Sequence, residues 1–164
     1  MSTDLAGRDA RWRGYDAVFF VAMLATALSL GGGLAHAFAL PNKIGLPSAD
    51  YFTVQQIYRG WNQLAYVLLV QLLSLVTLAV MSRGRSEVFW PVLLSIAGLA
   101  CAQAVFWLFT FPANRATNNW TSVPPDWEAW RASWEYSHLA GAGFQFLAMS
   151  FLIVAALRRA RHSR

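Results

Sequence analysis

The sequence predicts an all-α fold: a four-transmembrane-helix bundle, up-down in topology, with N- and C-termini cytoplasmic. Three observations carry this. The 164 residues are 57% hydrophobic and only 13% charged, where soluble domains carry about 25% charged residues. The apolar residues gather into four runs, about 15–40, 58–81, 87–111 and 127–157. Each reaches the ~20 residues that cross a ~30 Å hydrocarbon layer. Helices are the default because a spanning segment must pair its own backbone groups, and nothing here alternates like a barrel strand. Finally, the basic clusters fall on one side of four crossings. Arg8, Arg11 and Arg13 precede the first run, Arg83 and Arg85 lie in the inner loop 82–86, and Arg158, Arg159, Arg161 and Arg164 follow the last.

Basic residues mark the cytoplasmic side, so the loops 41–57 and 112–126 are outer loops. The chain reads as a single membrane domain, 1–164, multi-pass and suited to a bacterial inner (plasma) membrane, with membrane lipid as its surroundings. Its net charge of +5 is accounted for by this placement, so a nucleic-acid partner is excluded. Residues 1–14 read as an interfacial tail with Trp12 as a headgroup anchor. Ala37-Phe38-Ala39 fits a small-x-small cleavage pattern, but the preceding run exceeds the ~7–15 residues of a signal peptide. It is therefore read as a span. Cys101 is the only cysteine and reads as a small buried packing residue.

In the first helix Ala25, Ser29 and Gly33 recur every four residues, a spacing that permits close helix approach. His36 continues the stripe and should face the bundle. Pro41 should stop the helix at Leu40. In the next loop Ser48 is placed to cap a short helix from about Ala49, with Tyr51 and Phe52 dipping into the interface. Arg59 and Trp61 mark entry to the second helix, where Gln71 sits at mid-bilayer and needs a partner. In the third, Gln103, Trp107, Thr110 and Asn114 form one stripe, and Pro112 ends or kinks the helix. Pro124-Pro125-Asp126 reads as the start of the fourth, whose one face carries Glu128, Arg131, Glu135, His138, Ala142 and Gln145. Trp120, Trp127, Trp130 and Trp134 read first as an aromatic belt. Trp134, beside Glu135, is also placed to wall a pocket.

Depth brings two helices together. At 1.5 Å rise per residue, His36 and His138 both lie roughly 6–10 Å below the outer surface. Glu135, Arg131, Asn114, Thr110 and Arg59 reach the same layer. Ionisable groups at membrane depth usually face an interior site. The plainer alternative is a structural network, with Glu135 paired to Arg131 or Arg59 and the histidines bonded to backbone or Asn114. In the functional reading His138 is base or ligand, Glu135 tunes it, and His36 is second ligand or hydrogen-bond partner. Arg131, Arg59 and Asn114 orient the substrate, and Trp134, Trp107 and Gln103 line its site.

The chemistry stays open among several options. Glu135 and His138 have the i, i+3 spacing of bundle di-iron proteins, but the second such pair and the extra carboxylates are missing. His36, His138 and Glu135 form a donor set for a single copper, iron or zinc with an open position. Paired histidines also suit a b-type haem. With no cofactor, His138 would be a general base towards a lipophilic small molecule. No Ser sits in a nucleophile turn, and Gly31-Gly32-Gly33 lies inside a span, so neither hydrolase nor phosphate-loop chemistry is indicated.

AHAFALPNKIGLP, YFTVQQIYRGW and FPANRATNNWTSVPPDWEAWRASWEYSHLAGA together resemble the anthrone-oxygenase-like family of small four-helix membrane proteins. The most specific part is Asn114, Trp120, Pro124, Asp126, Trp127, Arg131, Trp134, Glu135 and His138. Most bacterial members have no assigned activity, while a few fungal ones oxidise an anthrone to an anthraquinone with dioxygen. The resemblance implies an oxidoreductase or oxygenase acting on a lipophilic aromatic or quinone-like compound near the outer membrane face. Two other roles stay open from the sequence. One is a non-catalytic accessory or assembly subunit among other membrane subunits; the other is a haem or copper carrier.

Overall fold

The computed structural model describes the backbone of residues 2–162 and the side chains of residues 14–161. Arg8, Arg11, Trp12, Arg13 and Arg164 lie outside the described side chains. The described chain is helical apart from its connections. Five helices carry it: α1 (Ser2–Lys43), α2 (Ser48–Gln55), α3 (Leu64–Met81), α4 (Ser86–Ala116) and α5 (Trp127–His162). All but α2 contain stretches long and apolar enough to span a bilayer, which makes this a multi-pass membrane protein. Their outward faces are apolar: Phe20, Leu24, Leu73, Leu94, Phe146 and Ile153 are exposed and face lipid.

Neighbours in sequence are neighbours in space, and α1 closes the ring against α5. Two glycines set the closest crossings. A Cβ at Gly33 would lie 3.2 Å from the Cα and Cβ of Ala142, and one at Gly98 would lie 2.9 Å from the Phe144 carbonyl oxygen and 3.1 Å from Ala148 Cβ. This is the close small-residue packing that stands in for hydrophobic driving force in lipid.

The interior is layered. A mainly aliphatic core fills the end that holds the start of α1 and the end of α5, with Leu75, Leu78, Val92 and Leu152 packed beside Phe19. Tyr15 closes it, hydrogen-bonded to Ser82 (2.7 Å), with the Asp16–Arg159 pair beside it. An aromatic core fills the opposite, loop end: Tyr51, Phe52, Trp120 and Trp134, with Tyr58, Trp127 and Trp130 against them. Between the two, Gln71 donates to Gln145 (2.9 Å), which supplies the partner that a mid-bilayer amide needs.

Several boundaries differ from the sequence expectation. α1 does not stop at Leu40 but runs through Pro41 to Lys43. The extra turn is held by an Ile44 N–H to Leu40 carbonyl bond (3.0 Å) and by the engagement of Lys43 described below. The short helix α2 is present, but Pro47 and not the Ser48 side chain stands at its cap. Tyr51 and Phe52 are buried, 0% and 9% exposed, so they serve the protein core and not the membrane interface. Cys101 is exposed on the surface of the bundle and is not a buried packing residue.

α4 contains a π turn at Phe106–Thr110 and then continues to Ala116. Pro112 has no N–H, and its ring would press on the Leu108 carbonyl of a regular helix. Widening the turn relieves that clash. It also rotates the register, so the expected Gln103–Trp107–Thr110–Asn114 stripe is broken. Thr110 is buried, whereas Trp107 is 58% exposed. Beyond α4, Asn118, Asn119 and Trp120 all have positive φ (48°, 53° and 64°). Such a conformation is tolerable for Asn but strained for Trp. It is held by Trp120 N–H to Thr117 Oγ1 (3.1 Å) and Gln56 Nε2 to the Trp120 carbonyl (2.8 Å).

The Gly98 crossing leaves no room for a methyl group. Gly98→Ala is expected to destabilise the protein by about 1–3 kcal/mol. Gly31→Ala, where an added Cβ meets nothing within 4 Å, should hold or raise stability, since Ala is the better helix former. Thermal unfolding in detergent measures both.

Candidate functional site

The Gly33–Ala142 crossing explains how two distant histidines meet. His36 lies three residues beyond Gly33 on α1, and His138 lies four residues before Ala142 on the antiparallel α5. At ~1.5 Å per residue both stand at one height above the point of closest approach. Their ring centroids are 4.1 Å apart with planes at 37°. Trp134 packs on both, at 4.0 Å from His138 and 5.0 Å from His36. Tyr58 (4.3 Å) and Trp61 (5.1 Å) complete the box around His36.

The hydrogen bonds of the two rings differ. His138 Nδ1 lies 2.8 Å from the Trp134 carbonyl. A carbonyl only accepts, so Nδ1 carries the proton and the neutral ring presents Nε2 as a lone-pair acceptor. His36 is 6% exposed, and its Nδ1 is buried without a hydrogen-bond partner among the described residues. Groups buried in that way are uncommon.

One layer nearer the loops lies a charged network. Glu135 is 1% exposed and Lys43 3%, and Lys43 Nζ is 2.9 Å from Glu135 Oε1. Lys43 also donates to the Tyr58 hydroxyl (3.0 Å). Tyr51 donates to the same Glu135 oxygen (2.9 Å), and Gln55 Nε2 approaches it (3.4 Å) while donating to the Tyr51 hydroxyl. Glu135 Oε2 and Gln55 Oε1 are buried without partners among the described residues. The Lys43 ammonium also sits 4.8 Å and 4.9 Å from the Tyr58 and Trp134 ring centroids. Burial, the Glu135 charge and the hydrogen bond to it together push the Tyr51 phenol far above its ordinary value of 10.0.

No protein-family model, curated protein or solved structure matches this chain.

The structure unites part of the expected constellation. His36, His138 and Trp134 come together as an aromatic chamber. Glu135 is next to them in depth, but it is engaged with Lys43, Tyr51 and Gln55, and no hydrogen bond links it to His138 among the described residues. Its cation is Lys43, not Arg131 or Arg59. Arg131 donates to the Leu46 carbonyl (2.7 Å) and stacks over Trp127 (4.6 Å), fastening the segment before α2. Arg59 is exposed and bonds to Gln56 (3.3 Å), so it does not enter the layer. Asn114 accepts from both Trp134 Nε1 (2.9 Å) and Trp120 Nε1 (3.2 Å) and thereby orients the wall of the chamber. Trp107 faces outward. Gln103 lines a cavity beneath His138. Trp120 and Trp134, 4% and 3% exposed, belong to the core and not to an interfacial belt.

Among the described residues no group of three or more His, Cys, Asp or Glu is placed to hold a metal ion, and Glu135 Oε1 is engaged by Lys43. Two axial imidazoles of a haem stand on opposite faces of the porphyrin, whereas these rings are in van der Waals contact with no space for a plane between them. The pattern missed Lys43, Tyr51, Gln55 and Tyr58. The one sequence signal for Lys43 is that Glu135, at membrane depth, requires a cation.

Lys43→Met and Glu135→Leu alone should each cost about 3–5 kcal/mol, as single deletions from buried ion pairs do. The double variant should recover part of the sum in a thermodynamic cycle. Tyr51 adds a pH dependence. Its folded pKa is raised, so its contribution is fully present below pH 10 and falls as pH rises beyond it. The unfolded chain then loses a proton that the folded one keeps. The slope should approach 1.36 kcal/mol per pH unit, and unfolding titrations of Tyr51→Phe should lack it.

Proposed function

We propose that this chain is a membrane-embedded oxidoreductase that oxidises a lipophilic aromatic or quinone-like compound with dioxygen. The observation that carries the reading is the His36–His138 pair. Two imidazoles share an aromatic chamber at membrane depth, and the bond from His138 Nδ1 to the Trp134 carbonyl leaves its Nε2 as an acceptor. Structural histidines satisfy both nitrogens where they can. The resemblance to the anthrone-oxygenase-like family, carried by the residues around Trp134 and His138, supports the same chemistry.

In this mechanism His138 Nε2 takes the proton from an acidic C–H or O–H of the bound compound. The Trp134 carbonyl steadies the imidazolium through Nδ1–H. The resulting anion is electron-rich and is oxidised by dioxygen from the lipid phase. The balance is one dioxygen consumed, with one carbonyl formed and one water released from a methylene between two aromatic rings, or one quinone formed and one hydrogen peroxide released from a hydroquinone. His36 packs against the imidazolium and offers a further acceptor. Lys43 and Glu135 keep the wall in place without touching the reacting atoms. The site would lie near the outer face of a bacterial plasma membrane.

Detergent-purified protein supplied with a lipophilic hydroquinone or an anthrone-type substrate should consume oxygen in step with loss of whichever compound its site accepts. His138→Ala should lower turnover at least ~10²-fold, the usual scale for removing a general base, and His36→Ala by a smaller factor. Full turnover in both variants would sink the assignment. So would wild-type protein that never turns over and co-purifies in fixed ratio with larger membrane subunits.

A further inference from the structure

Beneath the histidine pair, towards the middle of the bundle, lies a cavity of about 110 Å³. Gln103, Phe106 and Thr110 of α4 meet Ser137, His138 and Gly141 of α5 there. Gln103, Phe106 and Gly141 are only half-buried, so the cavity communicates with the lipid side. The neighbouring helix does not cover it: every buried residue of α3 lies at Gln71 or beyond.

Its polar groups are committed with two exceptions. Thr110 and Ser137 are bonded to each other (2.7 Å), Ser137 donates to the Trp134 carbonyl (2.9 Å), and Gln145 is engaged with Gln71. That leaves His138 Nε2, an acceptor, and the Gln103 carboxamide, neither of which has a protein partner among the described residues. No charged side chain lines the space, so its ligand is neutral. A cavity of about 150 Å³ holds benzene. This one therefore takes a single ring with one edge at the mouth and refuses three fused rings.

We propose that the cavity binds a single-ring phenol or hydroquinone with an apolar tail. Its hydroxyl sits between His138 Nε2 and the Gln103 carboxamide, its ring against Phe106 and its tail in the lipid. The proposal rests on reading His138 as the group that meets the substrate, and it narrows that substrate to one ring. The π turn is what makes the space, since it sets Phe106 and Thr110 on the wall and sends Trp107 outward.

The test is equilibrium dialysis of the detergent-solubilised chain against para-hexylphenol and its methyl ether, para-hexylanisole, which lacks the donor. Wild type should retain the phenol about ten-fold more tightly than the ether. Gly141→Leu should abolish that difference by filling the cavity, since an added Cβ there meets nothing within 4 Å. Gln103→Leu, which has no intramolecular bond to lose, should weaken phenol binding about five-fold, the scale of one hydrogen bond. Equal retention of the two ligands overturns the proposal. So does wild-type phenol affinity in Gly141→Leu of unchanged unfolding temperature, or in Gln103→Leu. Oxygen uptake on the same samples separates the two readings. Phenol binding without uptake removes the catalytic reading alone, and uptake that Gly141→Leu leaves intact removes the cavity alone.

Discussion

A carboxylate buried in a membrane bundle must find compensation, and the loop end of this protein is arranged around that need. An unpaired charge at such a site costs several kcal/mol. Glu135 obtains a cation from one direction and neutral donors from another. Lys43 reaches it only because α1 continues through Pro41. Tyr51 and Gln55 reach it only because the first loop folds back as a helix. The network thus ties the end of the first span, the first loop and the start of the last span into one unit.

The aromatic layer then separates that charge from the histidines. Trp134 is the shared wall: its ring touches both imidazoles, its indole N–H is held by Asn114, and Lys43 lies over it. Its carbonyl fixes the tautomer of His138. One residue therefore sets both the shape of the chamber and the direction in which the imidazole acceptor of His138 points. The strained Trp120 supports it from behind, with ring centroids 5.9 Å apart, and shares the Asn114 oxygen. Strain of that kind persists only where surroundings over-determine it.

The four spans were legible in the sequence because hydropathy and helix length are local properties. The meeting of His36 and His138 was legible too, since depth along a helix follows from counting residues and Gly33 announces a close crossing. The partner of Glu135 was not. Lys43 reads as an ordinary loop charge once Pro41 is taken to end the helix, and only the tertiary ion pair offsets that local preference. Periodicity likewise assumes a constant turn, so it placed Trp107 inward. The π turn at Phe106–Thr110 changes the phase there, and nothing short of the geometry around Pro112 reveals it. Cys101 failed for a simpler reason: small residues are as acceptable to lipid as to a core.

The Lys43–Glu135 pair also bears on how the chain is made. Its two members belong to the first and last spans, so each charge enters the bilayer region at a different moment of synthesis. The first span must wait with its lysine at the headgroups, where a long side chain can reach water. The last span cannot settle its carboxylate until the first lies beside it. The pairing of these two charges therefore waits on α5, and until that helix packs against α1 the lysine keeps its contact with water.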